Sequence, residues 1–229
     1  MIWLGIDTSH TPLAVAVVED DRVLASYQSS LKITHSIGAM PAIEALLKKA
    51  DIKPNEIDAI AVAIGPGSYT GVRIGVTIGK TLAWTLKKPI FSVSSLQVLA
   101  SNASYFPGIV CAIMDARRGN VFAGIYTNGE AVKEAHMPLV ELLKTVYEMG
   151  QPVLFVGMDV GIHWEQIKEV LGDRVERANA AFSLPNAAVL VELAKKLQPT
   201  EVHTTVPEYL RITEAEANWM KEQKKNDNK

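Results

Sequence analysis

Gly65-Pro66-Gly67-Ser68-Tyr69-Thr70-Gly71-Val72-Arg73-Ile74-Gly75 is the stretch on which the fold turns. Before it, Ile57-Asp58-Ala59-Ile60-Ala61-Val62-Ala63-Ile64 is branched and apolar, as a buried strand requires. After it, Val72 to Leu86 contains no proline and is long enough for about four helical turns. Glycines at such a strand-to-helix corner allow positive φ and close backbone approach, and the helix N-terminus offers unpaired amides to an anion. The corner departs from both common nucleotide patterns. A P-loop needs a Lys-Ser/Thr pair after its last glycine, and Val72-Arg73 stands there. The dinucleotide fingerprint needs glycine where Thr70 stands, and a first strand at the start of its unit.

The 229 residues carry a formal net charge of −2 and are 48% hydrophobic, enough core for one large domain or two small ones. This near-neutral balance argues against autonomous binding to nucleic acid or to an anionic membrane. The single cysteine, Cys111, excludes an internal disulfide and a thiolate metal cluster. It lies in the apolar run Ile109-Val110-Cys111-Ala112-Ile113-Met114 and reads as a buried strand thiol. Asp7 interrupts the apolar Met1-Ile2-Trp3-Leu4 too soon for a signal peptide or membrane span, so a cytoplasmic protein is expected.

Three strands, Ile2–Ile6, Leu13–Val18 and Val23–Gln28, open the chain as an antiparallel meander turning at Asp20-Asp21. A helix over 36–50 follows, with Ile37, Met40, Ile43, Leu46 and Leu47 at helical spacing and Pro41 expected in its first turn or at a kink. Next come the strand at 57–64, the glycine corner and long helix, a strand at 89–93 and a helix over 95–103. The order then repeats. Ile109–Met114, Val121–Tyr126 and Ala131–His136 read as strands, the last two joined at Asn128-Gly129. A helix at 139–149, a strand at 153–156 ending at Gly157 and a helix at 162–171 complete the second unit. Asp7-Thr8-Ser9 parallels Asp115-Ala116-Arg117, and Ala63-Ile64-Gly65 parallels Phe155-Val156-Gly157. The pattern predicts a duplicated α/β fold with mixed sheets, divided into 1–104, 105–212 and a polar tail at 213–229 whose large apolar pair is Trp219-Met220.

Ile6-Asp7-Thr8-Ser9, Thr34-His35-Ser36, the glycine corner through Gly75, and Pro207-Glu208-Tyr209-Leu210-Arg211 together resemble the bacterial TsaB (YeaZ) family over nearly the whole chain. The resemblance implies two ribonuclease-H-like halves in the actin-like, Hsp70-like ATPase architecture. It also implies an accessory role in tRNA threonylcarbamoyladenosine biosynthesis, in complex with a paralogous catalytic subunit (TsaD) and an ATPase subunit (TsaE). That complex uses ATP and moves threonylcarbamoyl to adenosine of tRNA; tRNA is met through the complex, and no cofactor is expected on this chain itself.

Three chemistries remain to be weighed. Asp7, Thr8 and Ser9 with Gly65 and Gly67 could form a vestigial phosphate site, or Asp7 could simply cap a turn while the hydroxyls bond local amides. An actin-fold ATPase or kinase using Asp7, Thr8, Ser9 and the glycine corner is the first rival reading, and Arg117-Arg118 in the second unit, standing where a phosphate cleft would want hydroxyls, counts against it. The second rival, a metallopeptidase, is disfavoured. The catalytic paralogues that this chain resembles carry Asn-His-x-x-x-His after the fifth strand, and those histidines fall at Ser95 and Leu99 here. His10, His35, His136, His163 and His203 form no pair four apart, so no metal is expected.

The helix after the corner carries Gly71, Gly75, Gly79 and Ala83 at every fourth position. Each mid-helix glycine costs about 0.5–1 kcal/mol relative to alanine, so the stripe must serve close packing, on the sheet or on a partner helix. A partner interface is expected on this stripe and on Ile37, Met40, Ile43 and Leu47 of the preceding helix, used for the paralogue and for a homodimer in isolation. On this expectation Gly75→Leu or Gly79→Leu leaves a folded chain that no longer binds its partner.

Overall fold

The computed structural model describes residues 1–31 and 35–210. Thr34, Arg211 and the 213–229 tail with Trp219-Met220 lie outside the described residues. The first half runs β1 (Ile2–Asp7), β2 (Leu13–Glu19), β3 (Arg22–Ser29), α1 (His35–Lys49), β4 (Ala59–Ala63), α2 (Tyr69–Leu86), β5 (Ile90–Val93) and α3 (Ser95–Ser101). The second runs β6 (Ile109–Asp115), β7 (Asn120–Thr127), β8 (Glu130–Pro138), α4 (Leu139–Glu148), β9 (Val153–Val156), α5 (Val160–Leu171), β10 (Val175–Arg177) and α6 (Ala187–Ala194). Each half builds a five-stranded sheet, ordered β3-β2-β1-β4-β5 and β8-β7-β6-β9-β10. The central strand pairs antiparallel with the meander and parallel with the crossover strands, β1 with β2 and β4, β6 with β7 and β9. This is the expected duplicated α/β fold with mixed sheets and flanking helices.

Strand alternation decides which helix each side chain meets. Leu4, Ile6, Val15, Val17, Ile60 and Val62 point to the face covered by α1 and α2, where Ile43, Leu46, Leu47 and Ala83 close the core. Trp3, Ala14, Ala16, Ala61 and Ala63 point the other way, onto Ala187, Leu190, Val191 and Ala194 of α6. Gly5 lets that helix come close: a Cβ there would lie 2.5 Å from the Ala187 carbonyl oxygen. In the second half, α4 and α5 cover one face of the sheet. Leu96, Leu99 and Ala100 of α3 cover the other, against Val110, Ala112, Met114, Tyr126, Leu154 and Val156.

Each half therefore lends its last helix to the other's sheet. The sequence division at 104/105 places α3 with the first half and α6 with the second, and both packings cross that line. The chain after α6 also returns to the first half. Thr200 N donates to Ile90 O (2.8 Å), Glu208 N donates to Ile64 O (2.7 Å), and Lys80 Nζ donates to His203 O and Thr205 O (3.0 and 2.8 Å). Pro41 lies inside α1 rather than in its first turn. Asn128 and Gly129 both have positive φ (54° and 79°), which their hairpin turn requires. Among the described residues, no helix is long and apolar enough to cross a membrane.

Candidate functional site

A cleft of about 630 Å³ opens between the halves, lined by His10 and Thr11 after β1, by Pro66–Thr70, by Asp115–Arg117 after β6, and by Glu208–Leu210. Its first-half wall is the glycine corner. Ser68 is the N-cap of α2 and accepts from Gly71 N. Ser68 N donates to Ser9 O (2.6 Å), and Thr8 Oγ1 donates to Gly71 O (2.7 Å). The glycines make this contact possible. A Cβ on Gly67 would lie 2.0 Å from Ser9 O, one on Gly71 2.3 Å from Thr8 O, and one on Gly75 2.5 Å from Thr8 Oγ1.

The consequence is a sealed corner. Asp7, Thr8 and Ser9 each have 0% exposure. Asp7 Oδ1 accepts from Ser9 N (2.8 Å), while Asp7 Oδ2 and Ser9 Oγ are buried without a partner. Burial raises the Asp7 carboxyl above the usual carboxylate range, and the bond from the Ser9 amide offsets this only in part. Gly65 is covered by the Glu208 carbonyl, 2.7 Å from where its Cβ would be. Of the five residues considered for phosphate (Asp7, Thr8, Ser9, Gly65 and Gly67), only Gly67 lines the cleft. The start of α2 borders the cleft, but its Ser68 and Gly71 amides are spent on Ser9 O and Ser68 Oγ, and Asp7, Thr8, Ser9 and Gly65 lie behind it, so the five residues do not converge on one open anion site.

The second-half wall sets Asp115 and Arg117 among Met114, Ala116 and Phe122, with Asp159 and His163 behind it. Asp115, at the end of β6, pairs through Oδ1 with His163 Nε2 of α5 (3.0 Å). Asp159 Oδ2 accepts from Asp115 N (2.8 Å) and meets His10 Nε2 of the first half (2.8 Å). Burial pushes the Asp159 carboxyl up, but the bond and charge of His10, with the Asp115 amide, outweigh burial and hold it below the usual range. At the cleft mouth the Arg73 guanidinium lies 3.8 Å over the Tyr69 ring, and Arg73 Nε donates to Tyr209 OH (2.7 Å). Ser95 and Leu99, one turn apart on α3, are both buried; Ser95 Oγ accepts from Gly65 N (3.0 Å). No group of three or more His, Cys, Asp or Glu among the described residues is arranged to hold a metal.

The expected partner face needs correction. Gly71, Gly75, Gly79 and Ala83 are all buried on their own sheet; a Cβ on Gly79 would lie 2.3 Å from Val62 Cγ1. Ile43 and Leu47 are core residues. Ile37 (71% exposed) and Met40 (45%) are the members of the expected set that face outward, and Arg73, Thr77, Thr81 and Trp84 form the outer side of α2. The periodicity of a helix that is apolar nearly all round does not say which side meets the sheet.

His10, Asp159 and His163 did not emerge as site residues from the sequence. The available signal was positional: Gly157-Met158-Asp159 follows β9 as Gly65-Pro66-Gly67 follows β4.

A protein-family profile described as "TsaD: tRNA N6-adenosine threonylcarbamoyltransferase" matches residues 23–219. The tRNA threonylcarbamoyladenosine biosynthesis protein TsaB of Bacillus subtilis (strain 168) is 45% identical over 229 residues, covering 98% of this chain and 100% of that protein. The solved structure of YeaZ from Pseudomonas aeruginosa superposes with a TM-score of 0.74 at 28% identity, over 91% of this chain and 99% of that one. The ethanolamine utilization protein EutJ from Carboxydothermus hydrogenoformans shares the fold alone, with a TM-score of 0.52 at 15% identity over 83% and 90% of the two chains.

Proposed function

The chain belongs to the TsaB family, and from that premise we propose that it is an accessory subunit for tRNA threonylcarbamoyladenosine formation that performs no chemistry of its own. The observation that carries this reading is the sealed corner. An actin-fold ATPase works with an acid and hydroxyls open to phosphate and magnesium, whereas here Asp7, Thr8 and Ser9 have no exposed surface and the Thr8 hydroxyl is engaged by α2. The same burial speaks against the kinase or ATPase reading, and Ser95 and Leu99 speak against the metallopeptidase one.

The partner in this reading is the paralogous transferase subunit, a relationship supported by the transferase profile that matches most of this chain. Two chains of one fold can pair through equivalent helices, and the outer side of α1 and α2 offers Ile37, Met40 and Trp84, all exposed. The isolated chain forms a homodimer over that surface and exchanges it for the paralogue. The ATPase subunit, with its ATP, joins the complex, and tRNA is reached through the complex in the cytoplasm.

Sedimentation tests this directly. Mixing the chain with the paralogous transferase subunit converts homodimer to heterodimer, and Ile37→Glu weakens both species by about tenfold or more, since a charge enters an apolar contact. A ternary species that keeps the homodimer intact through this face contradicts the reading, as does an Ile37→Glu chain that binds normally.

A further inference from the structure

We propose that His10 and Asp159 are positioning residues: their contact clasps the two halves beside the cleft and, through His35, holds the first turn of α1. The connection is a chain of hydrogen bonds with directions that can be read. His35, the first residue of α1, bonds through Nε2 to His10 O (2.7 Å). A carbonyl only accepts, so His35 Nε2 carries the proton. His10 Nε2 in turn meets Asp159 Oδ2 at 2.8 Å, and an ionised carboxylate also only accepts, so this nitrogen too is the donor. The same oxygen takes the Asp115 amide, and Asp115 Oδ1 meets His163 Nε2. One carboxylate oxygen thus receives a donor from each half of the molecule.

Asp159 occupies the N-cap position of α5, where an aspartate ordinarily accepts from its own helix's amides. It makes no such cap bond. Ser68 and Asn186, at the N-caps of α2 and α6, do. Asp159 is directed across the cleft in place of its local role, and it is mostly buried there: 17% of its side chain is exposed, and 22% of that of His10. Charge-assisted bonds in such surroundings are among the stronger ones available to a protein. The clasp joins elements distant in sequence, |i−j| = 149, and the second bond continues it to α1 with |i−j| = 25. Loosening it at Asp159, in the second half, therefore releases the N-terminal turn of α1 in the first. Its consequence for partner binding rests on the reading that α1 faces the paralogous subunit; its effect on α1 does not.

Native-state hydrogen exchange on the full chain, read on peptides from α1 and α4, separates these. In His10→Ala and Asp159→Ala, the first hydrogen-bonded amides of α1, from Ala39 onward, exchange about tenfold faster than in the parent chain, as loss of a bond to a charged group predicts, while α4 is unchanged. His10→Gln, whose side-chain amide restores a donor, returns α1 to the parent rate. Asn102→Ala removes two other hydrogen bonds, to Phe182 O and Leu184 O, and leaves α1 exchange alone. Should Asp159→Ala fail to fold, Asp159→Asn keeps an acceptor without the charge and gives an intermediate acceleration. Unchanged α1 exchange in His10→Ala and the Asp159 variant overturns the proposal, as does equal acceleration in Asn102→Ala, which marks general destabilisation. Affinity for the transferase subunit falls in parallel with α1 protection. If Ile37→Glu abolishes binding while the clasp variants bind normally, the partner reading stands and the positioning role is wrong.

Discussion

At the end of β1 the first half roofs its acid over; at the end of β6 the second half leaves the equivalent acid facing the cleft. Asp7 has no exposed surface and one oxygen without a partner, whereas Asp115 keeps 24% of its side chain exposed and pairs with His163. Both lie at the end of a central strand, each in the same strand order. The difference comes from the helix that follows the crossover strand. Gly67, just before α2, and Gly71, Gly75 and Gly79 on it let the helix settle onto Ser9, Thr8 and Val62 at distances no Cβ permits. α5 carries Asp159 and His163 at its start; Asp159 meets His10 of the other half, and His163 meets Asp115 of its own. One repeat has given its corner to packing and the other to a clasp, and neither keeps a paired acid and hydroxyl set open to a ligand.

The largest contrast is expected from adding one methyl group on each side. Gly71→Ala drives Cβ to 2.3 Å from the Thr8 carbonyl, backbone against backbone, with no flexible atom to yield. A loss of about 3 kcal/mol is expected, near the upper end of overpacking costs, or about 6–12 °C in Tm for a chain of this size. Gly161→Ala on α5 meets only the tip of Arg177, 3.0 Å from Nη2, and should stay within about 0.5 kcal/mol of the parent chain. Thermal or urea unfolding checks both. Equal tolerance at the two positions would mean that α2 is not seated as described. The same contacts predict that Gly75→Leu and Gly79→Leu unfold the chain rather than yield a folded, non-binding protein, the reverse of the expectation from the stripe alone.

A smaller contrast concerns two carboxylates that burial pushes the same way and their partners do not. Asp7 has a raised pKa, so its contribution is most favourable below the ordinary carboxylate range and is lost as pH rises through the raised value. Asp7→Asn should then stabilise the chain at neutral pH, with the gain fading as pH falls through the raised value and gone below the ordinary carboxylate range. Asp159 has a lowered pKa; its contribution is present above the ordinary range and is lost as pH falls through the lowered value. Asp159→Asn should therefore destabilise at neutral pH, and its effect should fade in acid. Urea titrations across pH 3–7 read both signs. Matching signs would contradict the contrast between the corners.

Much of the architecture could be read from residues alone, because strands that alternate or run apolar and turns such as Asn128-Gly129 declare themselves locally. β10 and α6 escaped. Val175–Arg177 is only a three-residue strand, and Ala187–Ala194 is apolar on almost every side, so no amphipathic stripe marks it; Asn186 at its N-cap was the usable sign. The division at 104/105 separates the two sheets but does not say which sheet α3 and α6 cover, since that is a long-range fact. At the site, the glycine corner was visible but its role was not. A glycine that approaches a phosphate and one that approaches Ser9 O look alike in sequence, and only the position of the Ser9 carbonyl tells them apart. His10 and Asp159 lie 149 residues apart and follow no spacing rule.

The central claim is that this chain serves tRNA modification through its surface and not through the acid at its first strand. The direct measurement is threonylcarbamoyladenosine formation on tRNA by the reconstituted transferase, ATPase subunit and this chain, comparing Asp7→Asn with Ile37→Glu. Product at the parent level is expected with Asp7→Asn, and a loss of about tenfold or more with Ile37→Glu at limiting concentration of this chain, matched by its loss of binding. Loss of product with Asp7→Asn in a complex that still assembles would contradict the claim.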